Sequence, residues 1–235
     1  MIKVGIAGYR GRMGQMLVHE LQSGQWPGLA FGSGSESSDN PNSLFAENDL
    51  VIDFTTPDAT RAHIEIAVTH KKPIIIGTTG LNDNDMAVLI SAATTCPILY
   101  SANMSVGVNL LAALVEQVAT RLGDTFDIEI METHHRNKMD SPSGTALMLG
   151  RATGRPNAPM DRSGKRNTGT VGYAVQRGGD VVGEHNVSFF GPGERIELGH
   201  RAHDRSLFAK GALRAATWMK GRPAGLYSMR DVLDL

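Results

Sequence analysis

Residues 4–14 read VGIAGYRGRMG, with glycines at Gly8, Gly11 and Gly14, and this stretch decides the fold. Just before it, Ile2 to Ala7 is a short apolar run of the kind that forms a buried strand. Just after it, Met13, Leu17 and Leu21 recur at helical spacing. In a strand–turn–helix of this kind the glycines let backbone approach a pyrophosphate. The helix N-terminus adds N–H groups and partial positive charge. The spacing is G-x-x-G-x-x-G rather than G-x-G-x-x-G, so the context carries the dinucleotide reading. A βα turn with no ligand is the alternative.

The rest of the first half repeats this rhythm. Further strands are expected at Leu29 to Ser33, Leu50 to Phe54, Pro73 to Ile76 and Ile98 to Ser101. Helices are expected from Pro57, behind a Thr56 cap, towards His70, and from Asn82 to about Ala93. Only 13 residues separate Glu36 from Leu50, barely a minimal crossover, and no element is assigned to them. Strands alternating with helices imply a parallel α/β sheet. After Ser101 the pattern changes. A long apolar helix, Val106 to Leu122, leads into FDIEIMET at 126–133 and then a stretch rich in Gly and polar residues from Arg155 to Gly169. Alternating strands follow at Val171 to Gln176, Asn186 to Phe190 and Arg195 to His200, which suits an antiparallel or mixed sheet in a separate α+β domain. A final helix, Asp204 to Met219, matches the earlier helices and is expected to return to the first domain.

Composition narrows the function classes. The 235 residues allow one or two domains, and 41% apolar with 20% charged residues is ordinary for a globular chain. A net charge of -1 gives no field to draw nucleic acid or an anionic lipid surface, so neither partner is expected. Cys96, the single cysteine, allows no internal disulfide, and no run approaches the ~20 apolar residues of a membrane span. With no apolar leader in MIKVGIAG, the expectation is a soluble cytoplasmic protein. The 27 glycines, about 11% against a usual ~7%, point to tight turns or close backbone approach to a ligand.

Four constellations could carry chemistry. The first is the glycine turn itself. The second is an acid after the second strand, where a carboxylate would accept hydrogen bonds from ribose hydroxyls; Glu36, 28 positions beyond Gly8, is preferred and Asp39 is the runner-up. The third is a pair of polar, glycine-bearing strand ends, IIIGTTGL at 74–81 and YSANMSVGVN at 100–109. Open α/β sheets bind ligands at such carboxyl ends. The fourth is METHHRNKMDSPSGTA, residues 131–146. His134, His135, Arg136 and Lys138 form a cationic loop suited to an anionic substrate. Ser141-Pro142-Ser143-Gly144-Thr145 reads as a helix start that would receive a second anion, so a small dicarboxylate fits both. Adjacent histidines on an extended segment point to opposite sides, and no H-x-x-x-H or C-x-x-C accompanies them, so no metal is expected.

These residues make the chain resemble the 4-hydroxy-tetrahydrodipicolinate reductase family, long called dihydrodipicolinate reductase. The resemblance runs nearly end to end, through VGIAGYRGRMG, VIDFT, IIIGTTG, SANMSVGVN, HHRNKMDSPSGTA, GDVVGEH, GERIELGHRAHDRSLFAKGALRAA and GLYSMRDVLDL. The HHRNK…PSGTA string is the most specific. The resemblance implies a Rossmann-type parallel-sheet dinucleotide-binding domain, residues 1–105, completed by the C-terminal helix in residues 204–235. An α+β substrate-binding and tetramerisation domain, 106–203, is inserted into it. The implied reaction reduces a cyclic dicarboxylate imine with NADH or NADPH, in lysine biosynthesis through diaminopimelate, and the implied assembly is a homotetramer.

Residue by residue, the resemblance puts the pyrophosphate on Gly8, Tyr9, Arg10, Gly11, Arg12 and Met13, and the adenosine ribose on Glu36. It lines the nicotinamide side with Gly77, Thr78 and Thr79, and with Ala102, Asn103, Met104 and Ser105. His134 becomes the acid–base residue and Lys138 the proton donor, while His135, Ser143, Gly144 and Thr145 hold substrate carboxylates. The connection after Glu36 is shorter than is common, and Ser37 stands where many relatives carry arginine, which leaves nucleotide preference open. Another NAD(P)-dependent dehydrogenase of the same two-domain plan is the competing enzyme reading. A redox-sensing regulator is the non-enzymatic one, although no basic face or helix-turn-helix stands out for DNA.

Overall fold

The computed structural model describes residues 1–160 and 163–235; the polar stretch expected between Arg155 and Gly169 lies in part outside them. The chain forms two compact units, Met1–Val106 with Ser206–Leu235, and Gly107–Arg205.

The first unit is an α/β sheet flanked by helices. Its elements from the N-terminus are β1 (Ile2–Ala7), α1 (Arg12–Gln22), β2 (Leu29–Ser35), α2 (Pro41–Glu47), β3 (Leu50–Asp53) and α3 (Pro57–His70). They continue with β4 (Ile74–Ile76), α4 (Asp83–Ala92) and β5 (Pro97–Tyr100). Every strand pairing is parallel, and β1 lies between β2 and β3. Alternating side chains feed two cores. Val4, Ile6, Ile52, Ile75 and Leu99 join α1's Leu17 in one, while Val51, Ile74, Ile76 and Ile98 join Phe45 and Ile64 in the other. Helix α4 is locked by a capping box between Asn82 and Asp85, and Arg61 of α3 reaches across to the same Asp85.

Three elements of this unit depart from the sequence expectation. Helix α2 fills the short connection after Glu36: Asn40 caps it by accepting from the Asn42 N–H, Pro41 opens it, and Leu44 and Phe45 are buried. At the other end, the return segment brings helix α7 (Ser206–Trp218), a three-residue strand β10 (Gly225–Tyr227) and helix α8 (Met229–Leu233). Helix α7 packs Ala209, Ala212, Leu213 and Ala216 into the first core. Strand β10 pairs with β5 and extends the sheet to six strands, in the order β10-β5-β4-β3-β1-β2. The sequence reading has one helix returning to this unit; the structure adds a strand and a second helix.

The second unit contains α5 (Val106–Leu122, which opens on the last residue of the first unit), β6 (Asp127–His134), α6 (Gly144–Ala152), β7 (Val171–Arg177), β8 (Gly183–Gly191) and β9 (Glu194–Ala202). The sheet order is β7-β6-β8-β9, with β6 parallel to β7 and the other pairs antiparallel. Leu111 and Val115 of α5 and Ala146 and Leu149 of α6 bury Ile128, Ile130, Val187 and Phe189. Side chains on a strand alternate, so the face that begins with Ile128 and Ile130 continues through Glu132 to His134. That apolar face ends in a carboxylate and an imidazole.

Candidate active site

In the first unit the glycine turn is shaped by close approach. Gly8 has φ +72°, and its N–H donates to Ser35 O at 2.8 Å. A Cβ on Gly14 would sit 2.2 Å from Gly8 O and 2.5 Å from Tyr9 Cα, so α1 starts hard against the turn. Gly11 caps that helix and has no side chain with which to occupy its N–H groups. Glu36, just beyond β2, accepts the Arg10 N–H at 2.7 Å, which holds its carboxylate beside the turn. The Arg10 guanidinium turns the other way and donates to Tyr9 Oη at 2.9 Å. A tight backbone cradle, a helix start without a side-chain cap and an acid at the end of the second strand fit a dinucleotide.

The carboxyl ends of β3, β4 and β5 carry the other expected residues. Thr78 is buried. Its hydroxyl takes hydrogen bonds from Thr60 Oγ1 at 2.8 Å and the Thr55 N–H at 3.2 Å, and lies over Asp53. Gly77 is buried and Thr79 exposed, so of the three only Thr79 faces outward. Ala102 is exposed and Asn103 half-buried, whereas Met104 packs into the first core and Ser105 is buried. Sequence reasoning missed Asp53 and His63 here. Asp53 is fully buried, takes the Thr55 N–H and hydroxyl on Oδ1, and holds His63 Nδ1 on Oδ2 at 2.9 Å. A carboxylate closing a core strand is its only sequence signal.

In the second unit His134 ends β6, buried, with Nδ1 in direct contact with Glu132 Oε2. The other oxygen, Oε1, accepts the Ser143 N–H at 2.8 Å and Arg177 Nη2 at 3.1 Å. Burial of Glu132 opposes its ionisation. The hydrogen bonds from His134, Arg177 and Ser143 outweigh it and hold the pKa down to about 2. His185 lies opposite Glu132 in the β6–β8 register, and its ring meets the His134 ring edge-on at 5.1 Å. Burial, and then the His134 charge, push His185 down to about 4, so it is neutral near pH 7. Its Nε2 lies 3.1 Å from Ser143 Oγ, which also accepts the Ala146 N–H and so caps α6.

The loop beyond β6 is pinned to the turn before β8, with the His135 N–H on Val181 O and the Arg136 N–H on Gly179 O. His135, Arg136, Gly179, Asp180 and Arg205 line a cleft of about 530 Å³. Lys138 pairs with Asp140 at 2.8 Å, and this partner holds Asp140 below the usual carboxylate range. Ser143 sits at the N-cap, so Gly144 and Thr145 form the first turn of α6. The structure thus joins His134 and Ser143 through Glu132, puts His135 and Arg136 on a common cleft, and gives Lys138 a carboxylate partner. Sequence reasoning missed Glu132, His185 and Arg177: Glu132 shares a strand face with His134, and the strand register brings His185 and Arg177 beside them. Among the described residues Glu132, His134 and His185 are also the one group with metal-like spacing. Oε1 of that carboxylate is held by Arg177 and Ser143, while Oε2 lies against His134 Nδ1.

A glycine-turn cradle on a parallel sheet, with a buried histidine and a capped helix start beside a second sheet, fits one class: a nicotinamide-nucleotide-dependent oxidoreductase. Comparisons with known proteins narrow it. Residues 2–104 match the model of the dihydrodipicolinate reductase N-terminus, and residues 107–233 that of its C-terminus. The chain is 48% identical over 249 positions to the 4-hydroxy-tetrahydrodipicolinate reductase of Zymomonas mobilis subsp. mobilis, covering 100% of this chain and 98% of the relative. It is 47% identical to the enzyme of that name from Afipia carboxidovorans, with 98% and 96% covered. Among solved structures, the dipicolinate-bound dihydrodipicolinate reductase from Paenisporosarcina sp. TG-14 superimposes with a TM-score of 0.78 over 97% of both chains at 22% identity, a likeness of fold. The chain belongs to the dihydrodipicolinate reductase family.

Proposed function

We propose that the protein reduces 4-hydroxy-tetrahydrodipicolinate, by way of dihydrodipicolinate, to tetrahydrodipicolinate with NADH or NADPH, a step of lysine biosynthesis through diaminopimelate. The observation that carries this reading is one buried carboxylate, Glu132, that holds both the His134 ring and the Ser143 start of α6. A proton-exchanging group and an anion-binding helix end are thereby fixed together, as a dicarboxylate imine requires.

The residues divide the work. The turn from Gly8 to Met13 would hold the pyrophosphate, Glu36 the adenosine ribose, and the Gly77–Thr79 and Ala102–Ser105 segments the nicotinamide. Bound reduced nicotinamide supplies the hydride. Its addition to a ring carbon of the conjugated imine leaves an enamine-like electron pair on the substrate, which a proton must quench. His134 exchanges that proton, and Lys138 donates to and electrostatically clamps the substrate. Ser143, Gly144 and Thr145 receive one carboxylate at the start of α6, and His135 the other. The first unit serves as the nucleotide domain, and the second binds substrate and joins four chains into a homotetramer in the cytoplasm.

The test is oxidation of NADH or NADPH, followed by loss of nicotinamide absorbance. It should depend on the aldol product that condensation of pyruvate with aspartate semialdehyde provides. Oxidation that proceeds equally with an amino acid or a semialdehyde alone would overturn the assignment.

A further inference from the structure

Glu132 enters neither the cationic loop nor the helix start, yet it is fully buried and touches both. We infer that Glu132 is a positioning residue that fixes the tautomer and orientation of His134, leaving Nε2 as the nitrogen that exchanges a proton with substrate. This rests on the reading of His134 as the acid–base group and adds the device that sets it.

The geometry carries the inference in three parts. First, the carboxylate divides its oxygens. Oε1 is held by the Ser143 N–H at 2.8 Å and Arg177 Nη2 at 3.1 Å, which leaves Oε2 for His134 Nδ1. An ionised carboxylate only accepts, so a neutral ring that bonds to Oε2 carries its hydrogen on Nδ1 and leaves Nε2 bare. Second, Arg177 is itself anchored, its Nη2 donating to Asp140 O at 2.7 Å, so the carboxylate cannot rotate freely. Third, β8 passes His134 Nε2 at a glycine. Residue 183 on β8 is glycine, and a Cβ there would come within 3.0 Å of His134 Nε2. The neighbouring His185 is neutral near pH 7 and is taken up with Ser143, so it does not compete for Oε2. A carboxylate against Nδ1, with Nε2 left for the substrate, is the arrangement by which a carboxylate sets a histidine for proton transfer.

Glu132→Gln tests it cleanly, because the amide oxygen can keep the Ser143 and Arg177 bonds while the amide nitrogen faces His134. An amide donates where the carboxylate accepted, so Nδ1 becomes the acceptor and the hydrogen moves to Nε2. In protein labelled with ¹⁵N-histidine, the His134 signals are those lost in His134→Gln. They should show the Nδ1–H form in the natural chain and the Nε2–H form in Glu132→Gln. Turnover should fall roughly 10²–10⁴-fold with substrate KM within about threefold, since the helix start is kept. Gly183→Ala, which leaves Nδ1 alone and crowds Nε2, should lower kcat without changing the tautomer. A natural protein in the Nε2–H form, or a Glu132→Gln protein with an unchanged tautomer, would overturn the inference; the first reading needs no variant to fold. A flipped tautomer with normal turnover would instead leave the positioning standing and overturn the assignment of His134 as the proton-exchanging group.

Discussion

Gly14→Ala offers a sharp test of the nucleotide site, because its cost can be worked from distances. The added methyl would lie 2.2 Å from Gly8 O, 2.5 Å from Tyr9 Cα and 2.7 Å from Tyr9 C. Ordinary contact needs about 3.4 Å, so the shortfall is close to 1 Å. All three atoms are backbone, and no side-chain rotation relieves the clash. The first turn of α1 must therefore retreat from the glycine turn by about that distance, at an overpacking cost of ~1–3 kcal/mol. The same retreat carries the N-terminal N–H groups of α1 away from the pyrophosphate. Losing one or two charge-assisted hydrogen bonds of about 1.5–3 kcal/mol each weakens binding roughly 10- to 10⁴-fold. Titration of NADH by calorimetry should show the weaker Kd. Turnover at saturating nucleotide should change far less, since the proposed proton exchange sits on β6. Binding within twofold of the natural protein, in a variant that unfolds cooperatively, would refute the assignment of this turn to the pyrophosphate.

Three further outcomes are expected. Pyridine-2,6-dicarboxylate should inhibit competitively against substrate and pyridine-2-carboxylate much more weakly, because one anion site stays empty; equal inhibition constants would argue against two sites. NADH should serve at least as well as NADPH, because the Glu36 carboxylate beside the turn repels a 2′-phosphate and the Arg10 guanidinium is engaged with Tyr9; a hundredfold preference for NADPH in kcat/KM would point to Arg10 or Arg12 as a phosphate clamp. Acid should destabilise the second unit in two stages. His185 and Glu132 both have folded pKa values below their ordinary ones, at about 4 and about 2. The unfolded chain therefore binds more protons, and stability falls as pH drops from about 6.5 to 4 and again from about 4.5 to 2, by ~3 kcal/mol at each stage. Denaturant midpoints across this range should show both stages, and His185→Gln should remove the upper one.

What could be read from the sequence was what depends on neighbours along the chain. Gly8, Gly11 and Gly14 announce the turn because a strand precedes them and a helical period follows. Ser143 announces α6 because a cap and its helix are adjacent. The Asn40–Pro41 pair in front of α2 was an equally local signal, and it was passed over because the connection looked too short to hold a helix. Strand β10 had no comparable signal: three residues, one of them glycine, show no alternation. Glu132 and His185 were beyond reach for another reason. Their proximity comes from the antiparallel register of β6 and β8, which pairs residues 53 positions apart. Asp53 was hidden by its setting, a single carboxylate ending a strand whose other residues are core.

Strand β10 also has a consequence for how the protein is made. The six-stranded sheet cannot be completed until Tyr227 has left the ribosome, because its last strand lies at Gly225–Tyr227 and the helix that covers one core begins at Ser206. At 5–20 residues per second, the interval between the emergence of β5 and that of β10 is roughly 6–25 s. Throughout it β5 presents an unpaired parallel edge, and the core around Ile75, Leu99 and Met104 lacks its α7 cover. The second unit draws its sheet and helices from a single continuous stretch and can fold within that window. Synthesis thus has a built-in order, in which the interrupted unit waits for the uninterrupted one. A chain stalled before Ser206 would expose a sheet edge and an uncovered core, the features that recruit chaperones and start aggregation.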